Sequence, residues 1–388
     1  MPEDRIRYFD HSATTPTHPD VVAAMLPYFT DHFGNPSSLY GIAEESRAAI
    51  ARARSQVAAA IGASPEEIFF TAGGTESDNW AIKGIAHAHR DRGDHIITTA
   101  IEHHAVLHTC AFLEEQGFSV TYLPVDREGR VDPAAVRDAI TDRTILVTVM
   151  TANNEVGTVQ PIREIGAVAR EHGVPFHTDA VQAIGNLELD VDEDNIDLLS
   201  LSGHKFYGPK GIGALYIRNG TKIANFIHGG GQERGRRAGT ENLPGVVGLG
   251  AAIERACTDI PAHGARLAGL RDRLLAGIME AIPDVTLNGH PTERLPGNIN
   301  VSFDGIDGEA LLTLLAMKGV CASTGSACSS GSESPSHVLL ALGVPPQRAR
   351  ASLRLTLGDL TAGEDVDYLL ALLPDAVKKL RRLSGAGA

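Results

Sequence analysis

Short apolar runs recur through the middle of the chain, separated by longer segments of helical periodicity. Ile96–Thr99, Val120–Leu123, Ile145–Met150, Val174–Thr178, Leu198–Leu201 and Ala214–Ile217 have the length and apolar content of buried strands. Between them, Thr75–His89, Ala105–Gln116 and Ile162–His172 are expected as helices. Upstream, Glu44–Ile61 carries Ile50, Val57 and Ile61 at the spacing of an amphipathic helix. Strands alternating with helices of this length predict an α/β protein with a mainly parallel, helix-covered sheet.

Past about Ala262 the pattern changes. Gly297–Phe303 reads as a strand and Gly308–Lys318 as a helix. In Ser352–Leu357 the leucines 353, 355 and 357 alternate with Ser352, Arg354 and Thr356, which predicts a half-buried strand. Thr361-Ala-Gly-Glu364 is expected to cap a last helix whose apolar stripe is Val366, Leu369, Leu373, Val377 and Leu380, with a kink at Pro374. These elements predict a second, smaller α/β domain, with the boundary near residue 260.

At 388 residues the chain has room for two such domains, and 43% hydrophobic with 21% charged residues is the composition of a soluble protein. A formal charge of −14 argues against nucleic acid or an anionic membrane as partner. No apolar run approaches the roughly 20 residues of a membrane span, and Met1-Pro-Glu-Asp4 does not open a signal peptide. The cysteines at 110, 257, 321 and 328 form no CxxC pair, which suits a reducing cytoplasm. Cys110, Cys257 and Cys321 sit in apolar contexts and are expected as buried small hydrophobes. Cys328 differs. Its surroundings, Thr324-Gly-Ser-Ala-Cys328-Ser-Ser-Gly-Ser, cannot bury a thiol and predict an exposed, mobile loop with a reactive cysteine.

Three segments place polar residues where a parallel sheet binds ligands, beyond the carboxyl ends of its strands. Phe176-His-Thr-Asp179 runs a strand into an acid. Leu198–Ser202 leads into Gly203-His204-Lys205. Phe69-Phe-Thr-Ala-Gly73-Gly74-Thr75 takes a strand through two glycines into a helix, a turn whose free N–H groups suit a phosphate. Phosphate cradle, acid and lysine together suggest pyridoxal 5′-phosphate, which needs a lysine for its Schiff base and a carboxylate at its pyridinium nitrogen. His103 follows another strand and offers an imidazole face for the ring. Each element alone has a plainer reading as a cap, a solvated surface group or a common turn; their coincidence in one strand–helix series favours the cofactor. His104 and His108, four apart, have no evident third ligand for a metal.

With these residues in place, the chain resembles the NifS/IscS-type cysteine desulfurases, class V members of the pyridoxal-phosphate-dependent aspartate-aminotransferase (type I) fold. The matching stretches include Tyr8-Phe-Asp-His-Ser-Ala-Thr-Thr15, Phe33-Gly-Asn-Pro-Ser-Ser38, Asn153-Asn-Glu-Val-Gly157, Ser202-Gly-His-Lys-Phe-Tyr-Gly-Pro-Lys-Gly211, Arg237-Ala-Gly-Thr240, Ser326-Ala-Cys328 and Ser352-Leu-Arg354, spread over nearly the whole length. The resemblance implies a large domain over 14–260 and a small one from 1–13 with 261–388, the latter carrying a cysteine loop at about 322–336. It implies that Lys205 forms the Schiff base and moves the Cα proton, that His103 stacks on the ring, and that Asp179 and Gln182 meet its nitrogen and phenolic oxygen. Asn154 orients ring and substrate. Gly74, Thr75, Ser202 and His204 hold the phosphate, joined by Thr240 from the other subunit of a homodimer. Arg354 takes the carboxylate of L-cysteine. Cys328 takes its sulfur as a persulfide, leaving L-alanine, and passes it to an iron–sulfur scaffold or another acceptor; no metal site is implied beyond a transient cluster contact of Cys328 on such a scaffold. His11 and Ser12 depart from the Asn-Ala-Ala of many relatives and are expected at the active-site rim, without loss of activity. Two other readings stand beside this one: a selenocysteine lyase or aminotransferase on the same fold, and a catalytically idle scaffold that only binds partners.

Overall fold

A computed structural model of the protein describes residues 5–324 and 334–385. Its strands are β1 (Arg7–Tyr8), β2 (Ile68–Thr71), β3 (His95–Thr99), β4 (Ser119–Leu123), β5 (Thr144–Thr148), β6 (Phe176–Asp179), β7 (Leu198–Ser202), β8 (Gly213–Ile217), β9 (Val285–Leu287), β10 (Asn298–Phe303), β11 (Val320–Cys321) and β12 (Ser352–Thr356). Seven of them form one sheet in the order β2-β8-β7-β6-β5-β3-β4. Only β8 runs against its neighbours, so β2 and β7 are parallel and six strands deliver their carboxyl ends to one edge.

Burial on both faces explains the near-continuous apolar runs. Leu198, Leu215 and Ile217 pack on one face with Trp80, Ile85 and Ile96. Their neighbours Leu199, Leu201 and Tyr216 pack on the other with Val57, Ile61 and Phe176. This is the period of two of a strand, apolar on both sides because helices cover both. A further core gathers Phe9 from the start of the chain with Ile299, Val301, Phe303, Leu353, Leu355, Leu369 and Leu373. Its strands form the antiparallel sheet β12-β10-β9, and β1 pairs in parallel with β11.

Several expectations need correction. The strand expected to Met150 ends at Thr148, because the Met150 N–H turns away to the Glu102 carboxyl. Ser352–Thr356 is buried throughout, its polar side facing protein and not water. The last helix begins at Gly363, with the Asp365 side chain accepting from Ala362 N–H, while the Thr361 hydroxyl serves Gly358 N–H. That helix continues across Pro374 to Leu383. Cys110 is buried as expected, but Cys257 is half-buried at a helix end and Cys321 is exposed at the edge of the short β1–β11 pair. His11 is 7% exposed and lines a cavity together with Ser12 and Lys205. No helix among the described residues is long and apolar enough to cross a membrane.

Candidate active site

The carboxyl ends of β2, β3, β5, β6 and β7 open onto a cavity of about 280 Å³. Gly74, Thr75, His103, Asn154, Asp179, Gln182, Ser202, His204, Lys205 and Arg354 all line it. Residues spread over 280 positions therefore meet because parallel strands end side by side and β12 approaches from the second core.

One end is a cradle for an anion. After β2 the chain turns at Gly73, whose φ of +146° disfavours any residue with a Cβ, and enters the helix Gly74–Ala88. A Cβ on Gly74 would stand 2.7 Å from Val181 Cγ2, so the helix start is pressed against the loop after β6. The first N–H groups of a helix lack partners within it and carry its positive dipole end. Thr75, Ser202 and His204 surround that start. Burial and the neighbouring charges of Lys205 and Lys210 push the His204 imidazole down to about 4, so it is neutral at pH 7, with Nδ1 3.1 Å from the Thr14 hydroxyl.

Deeper in the cavity two acids stand together. Asp179 closes β6, and its Oδ1 accepts the Val181 N–H at 2.9 Å. Burial raises it to about 6, although the Val181 bond and the Lys205 charge pull the other way. Asp78, one turn into the cradle helix, is raised well above the usual carboxylate range by burial and then by the charge of Asp179. Asp78 Oδ1 is buried and has no hydrogen-bond partner among the described residues; His177 Nε2 stands 3.7 Å away. His177 itself is fully buried between the Thr148 and Ser200 hydroxyls, and burial lowers it to about 3. The ligating atoms of Asp78, His103 and Asp179 lie within 4.8 Å of one another. A buried carboxyl pair with an unmatched oxygen favours a cation beside it, and the anion cradle at the other end points to a ring carrying both charges. The donor set thus fits pyridoxal phosphate: Asp179 for the ring nitrogen, the Gly74–Thr75 turn with Ser202 and His204 for the phosphate. His103 caps the helix His104–Glu115, its Nδ1 accepting Ala105 N–H, which fixes the ring's orientation at the cavity wall. Burial and the Lys205 charge lower it to about 4.

Lys205 projects from the turn Gly203–Lys205 that follows β7. Its Nζ donates to the carbonyls of Ser12 at 2.5 Å and Ala13 at 2.8 Å. Gln182 Nε2 donates to the same Ser12 carbonyl at 3.0 Å. On the remaining side Arg354 is 1% exposed. It donates to Asp10 Oδ1 at 2.8 Å and to the Asn154 carbonyl at 3.0 Å.

The aminotransferase class-V family profile matches residues 7–369. The chain belongs to this family. It is 60% identical over 382 residues to "Cysteine desulfurase IscS" of Methanosarcina thermophila, covering 98% of this chain and 94% of that protein. Among solved structures, a NifS-like protein superimposes with a TM-score of 0.91 at 38% identity, covering 97% of this chain and all of the other. SspA in complex with cysteine superimposes with a TM-score of 0.81 at 42% identity, covering 92% of this chain and all of SspA. The fold is accordingly the type I fold expected for this class V chain.

One predicted site residue among those described is not in the cavity. Thr240 is exposed and away from its lining; its expected role required a second subunit. Cys328 lies outside the described residues. Three residues in or next to the cavity had no role assigned from sequence. Asp78 carried a signal, an acid on the inward face of the helix Gly74–Ala88 beside Ser77 and Trp80. Glu155 is buried in the lining, hydrogen-bonded by Ser336, and raised by that burial against the pull of Ser336 and Arg354. Asp10 carried no signal, since its partner is 344 residues away. His104 stacks on His108 with centroids 5.0 Å apart and meets His337 at 4.8 Å, forming an imidazole wall at the cavity.

Proposed function

We propose that this class V chain is a cysteine desulfurase that uses pyridoxal 5′-phosphate to take sulfur from L-cysteine, leaving L-alanine. The convergence of Lys205, Asp179 and Arg354 on one cavity carries the reading, because an amino acid needs an amine site and a carboxylate site at fixed separation. The bound cofactor supplies a protonated ring that draws electrons from Cα of the amino acid joined to it. The Asp179 carboxylate would keep that ring nitrogen protonated, and the neutral His103 imidazole would offer its face to the ring without adding charge. Arg354 binds the substrate carboxylate as a two-toothed donor, held in place by Asp10 and the Asn154 carbonyl. Lys205, poised by the Ser12 and Ala13 carbonyls, takes the proton from Cα and returns one to the carbon that becomes the alanine methyl. Cys328 thiolate takes the substrate sulfur, so that a Cys328 persulfide forms as the Cβ–S bond breaks.

Thr240 of a second copy would complete the phosphate site, which makes a homodimer part of the proposal. The division at about residue 260 into a large domain and a small one joined by residues 1–13 is likewise proposed, supported by Phe9 packing with Leu353 and Leu355. The persulfide then passes to an iron–sulfur scaffold or another sulfur acceptor, in the cytoplasm. The test is Cys328→Ser. The variant keeps the visible cofactor absorption of the wild type and stops releasing sulfide from L-cysteine with a reductant present. Wild-type sulfide release by the variant sinks the role of Cys328.

A further inference from the structure

One short segment reaches Arg354, Lys205 and His204 at the cavity. Asp10 Oδ1 accepts from Arg354 Nη2 at 2.8 Å. The Ser12 and Ala13 carbonyls accept from Lys205 Nζ at 2.5 and 2.8 Å. The Thr14 hydroxyl meets His204 Nδ1 at 3.1 Å. Lys205 and Arg354 belong to different cores, so something must set their separation.

The attachment of this segment to the second core is concentrated on Thr356, two residues beyond Arg354 on β12. The Thr356 carbonyl accepts from His11 Nδ1 at 2.8 Å, and its N–H donates to the Phe9 carbonyl at 2.8 Å. Its hydroxyl accepts the Ser12 N–H at 2.9 Å. Thr356, His11 and Ser12 are 3%, 7% and 8% exposed, so water does not replace these bonds freely. Gly358 packs closely on one side of the His11 ring, since a Cβ there would lie 2.2 Å from its Cδ2.

We propose that the Thr356 hydroxyl is a positioning group. Through Ser12 it sets the distance from Arg354 to Lys205, and so makes the pocket select α-amino acids over simple amines. The same Ser12 residue gives its N–H to Thr356 and its carbonyl to Lys205, so a shift at one is a shift at the other. Without the hydroxyl the buried Ser12 N–H is left without a partner, and the segment moves to find one.

This inference rests on the desulfurase reading, and its test separates the two. Thr356→Val keeps the shape and removes the hydroxyl; Thr356→Ser keeps the hydroxyl. Binding of L-alanine and of ethylamine, which lacks only the carboxylate, is read from the cofactor absorption of each holoenzyme. The Val variant is expected to lose about tenfold of the preference for L-alanine, the scale of one buried unmatched N–H, while the Ser variant retains it. Amide hydrogen exchange of residues 9–13 in the cofactor-free protein is expected to speed up in the Val variant and not in the Ser variant. An unchanged ratio in the Val variant overturns the proposal, and so does a parallel loss of both ligands, which marks general loosening. A wild type that shows no cofactor absorption or releases no sulfur from L-cysteine overturns the desulfurase reading instead.

Discussion

The end of the cavity proposed for the cofactor draws Gly74, Thr75, Asp179, Ser202 and Lys205 from the ends of strands in one sheet, whereas the end proposed for the substrate joins Arg354 on β12 to Asp10 near the start of the chain. The first set is held by a rigid core with helices on both faces. The second is held by a few hydrogen bonds between chain segments some 340 residues apart in sequence. Adjacent strand ends make a site that is hard to disturb by a single side chain. A site assembled across two cores depends on each tether. The arrangement suits an enzyme that keeps one group permanently and must admit and release another.

Replacing Lys205 tests the rigid end most severely. Lys205→Ala removes the proton-transfer group, and turnover is expected to fall by about 10³-fold or more. The visible absorption that depends on the lysine disappears with it. The protein still unfolds cooperatively near the wild-type denaturant midpoint, because the Lys205 side chain lines a cavity and does not pack in a hydrophobic core. Arg354→Ala strikes the other end. It leaves Asp10 without its cation, and kcat/KM for L-cysteine is expected to drop about a hundredfold or more while the cofactor absorption stays unchanged. Equal loss of cofactor and substrate binding in that variant would erase the distinction between the two ends.

The smallest effect concerns pH. Burial holds His177 at about 3 in the folded protein against 6.5 for a free imidazole. Above pH 6.5 neither state binds the proton and His177 costs nothing. As pH falls from 6.5 towards 3 the unfolded chain takes up a proton that the folded site refuses, so stability is lost across that window. Between pH 6.5 and 5 the loss is about 2 kcal/mol. In His177→Asn the stability gap to wild type, measured by urea unfolding, is expected to narrow by that amount from pH 7 to pH 5. Glu102, which burial raises to about 8, acts with the opposite sign: its cost falls as pH drops from 8 towards 4.5. Both proteins share it, so it cancels from the difference.

Much of the rigid end was readable along the chain. The strands His95–Thr99, Ser119–Leu123, Leu198–Ser202 and Gly213–Ile217 fall within a residue or so of their apolar runs. The turn at Gly73–Gly74, the acid after β6 and the lysine after β7 each stand beside the element that places them, so local pattern and function coincide. Ser352–Thr356 shows where that stops. Alternation placed Arg354 opposite the leucines, yet whether that face meets water or a buried cavity depended on what packs against β12. Cys321 failed for the same reason, since among the described residues β11 pairs with the two residues of β1 alone and the thiol is exposed.

By itself, then, the order of apolar runs and turns determined an α/β chain with a lysine, an acid and a glycine turn at the ends of its strands, because those features depend on neighbours a few residues away. Only the tertiary structure decided that Asp78 stands beside Asp179, that Asp10 holds Arg354, and that Ser12 links Thr356 to Lys205. Those contacts join segments far apart in sequence, and the proton affinities of Asp78, Asp179 and His103 follow from burial, which no local pattern of residues specifies.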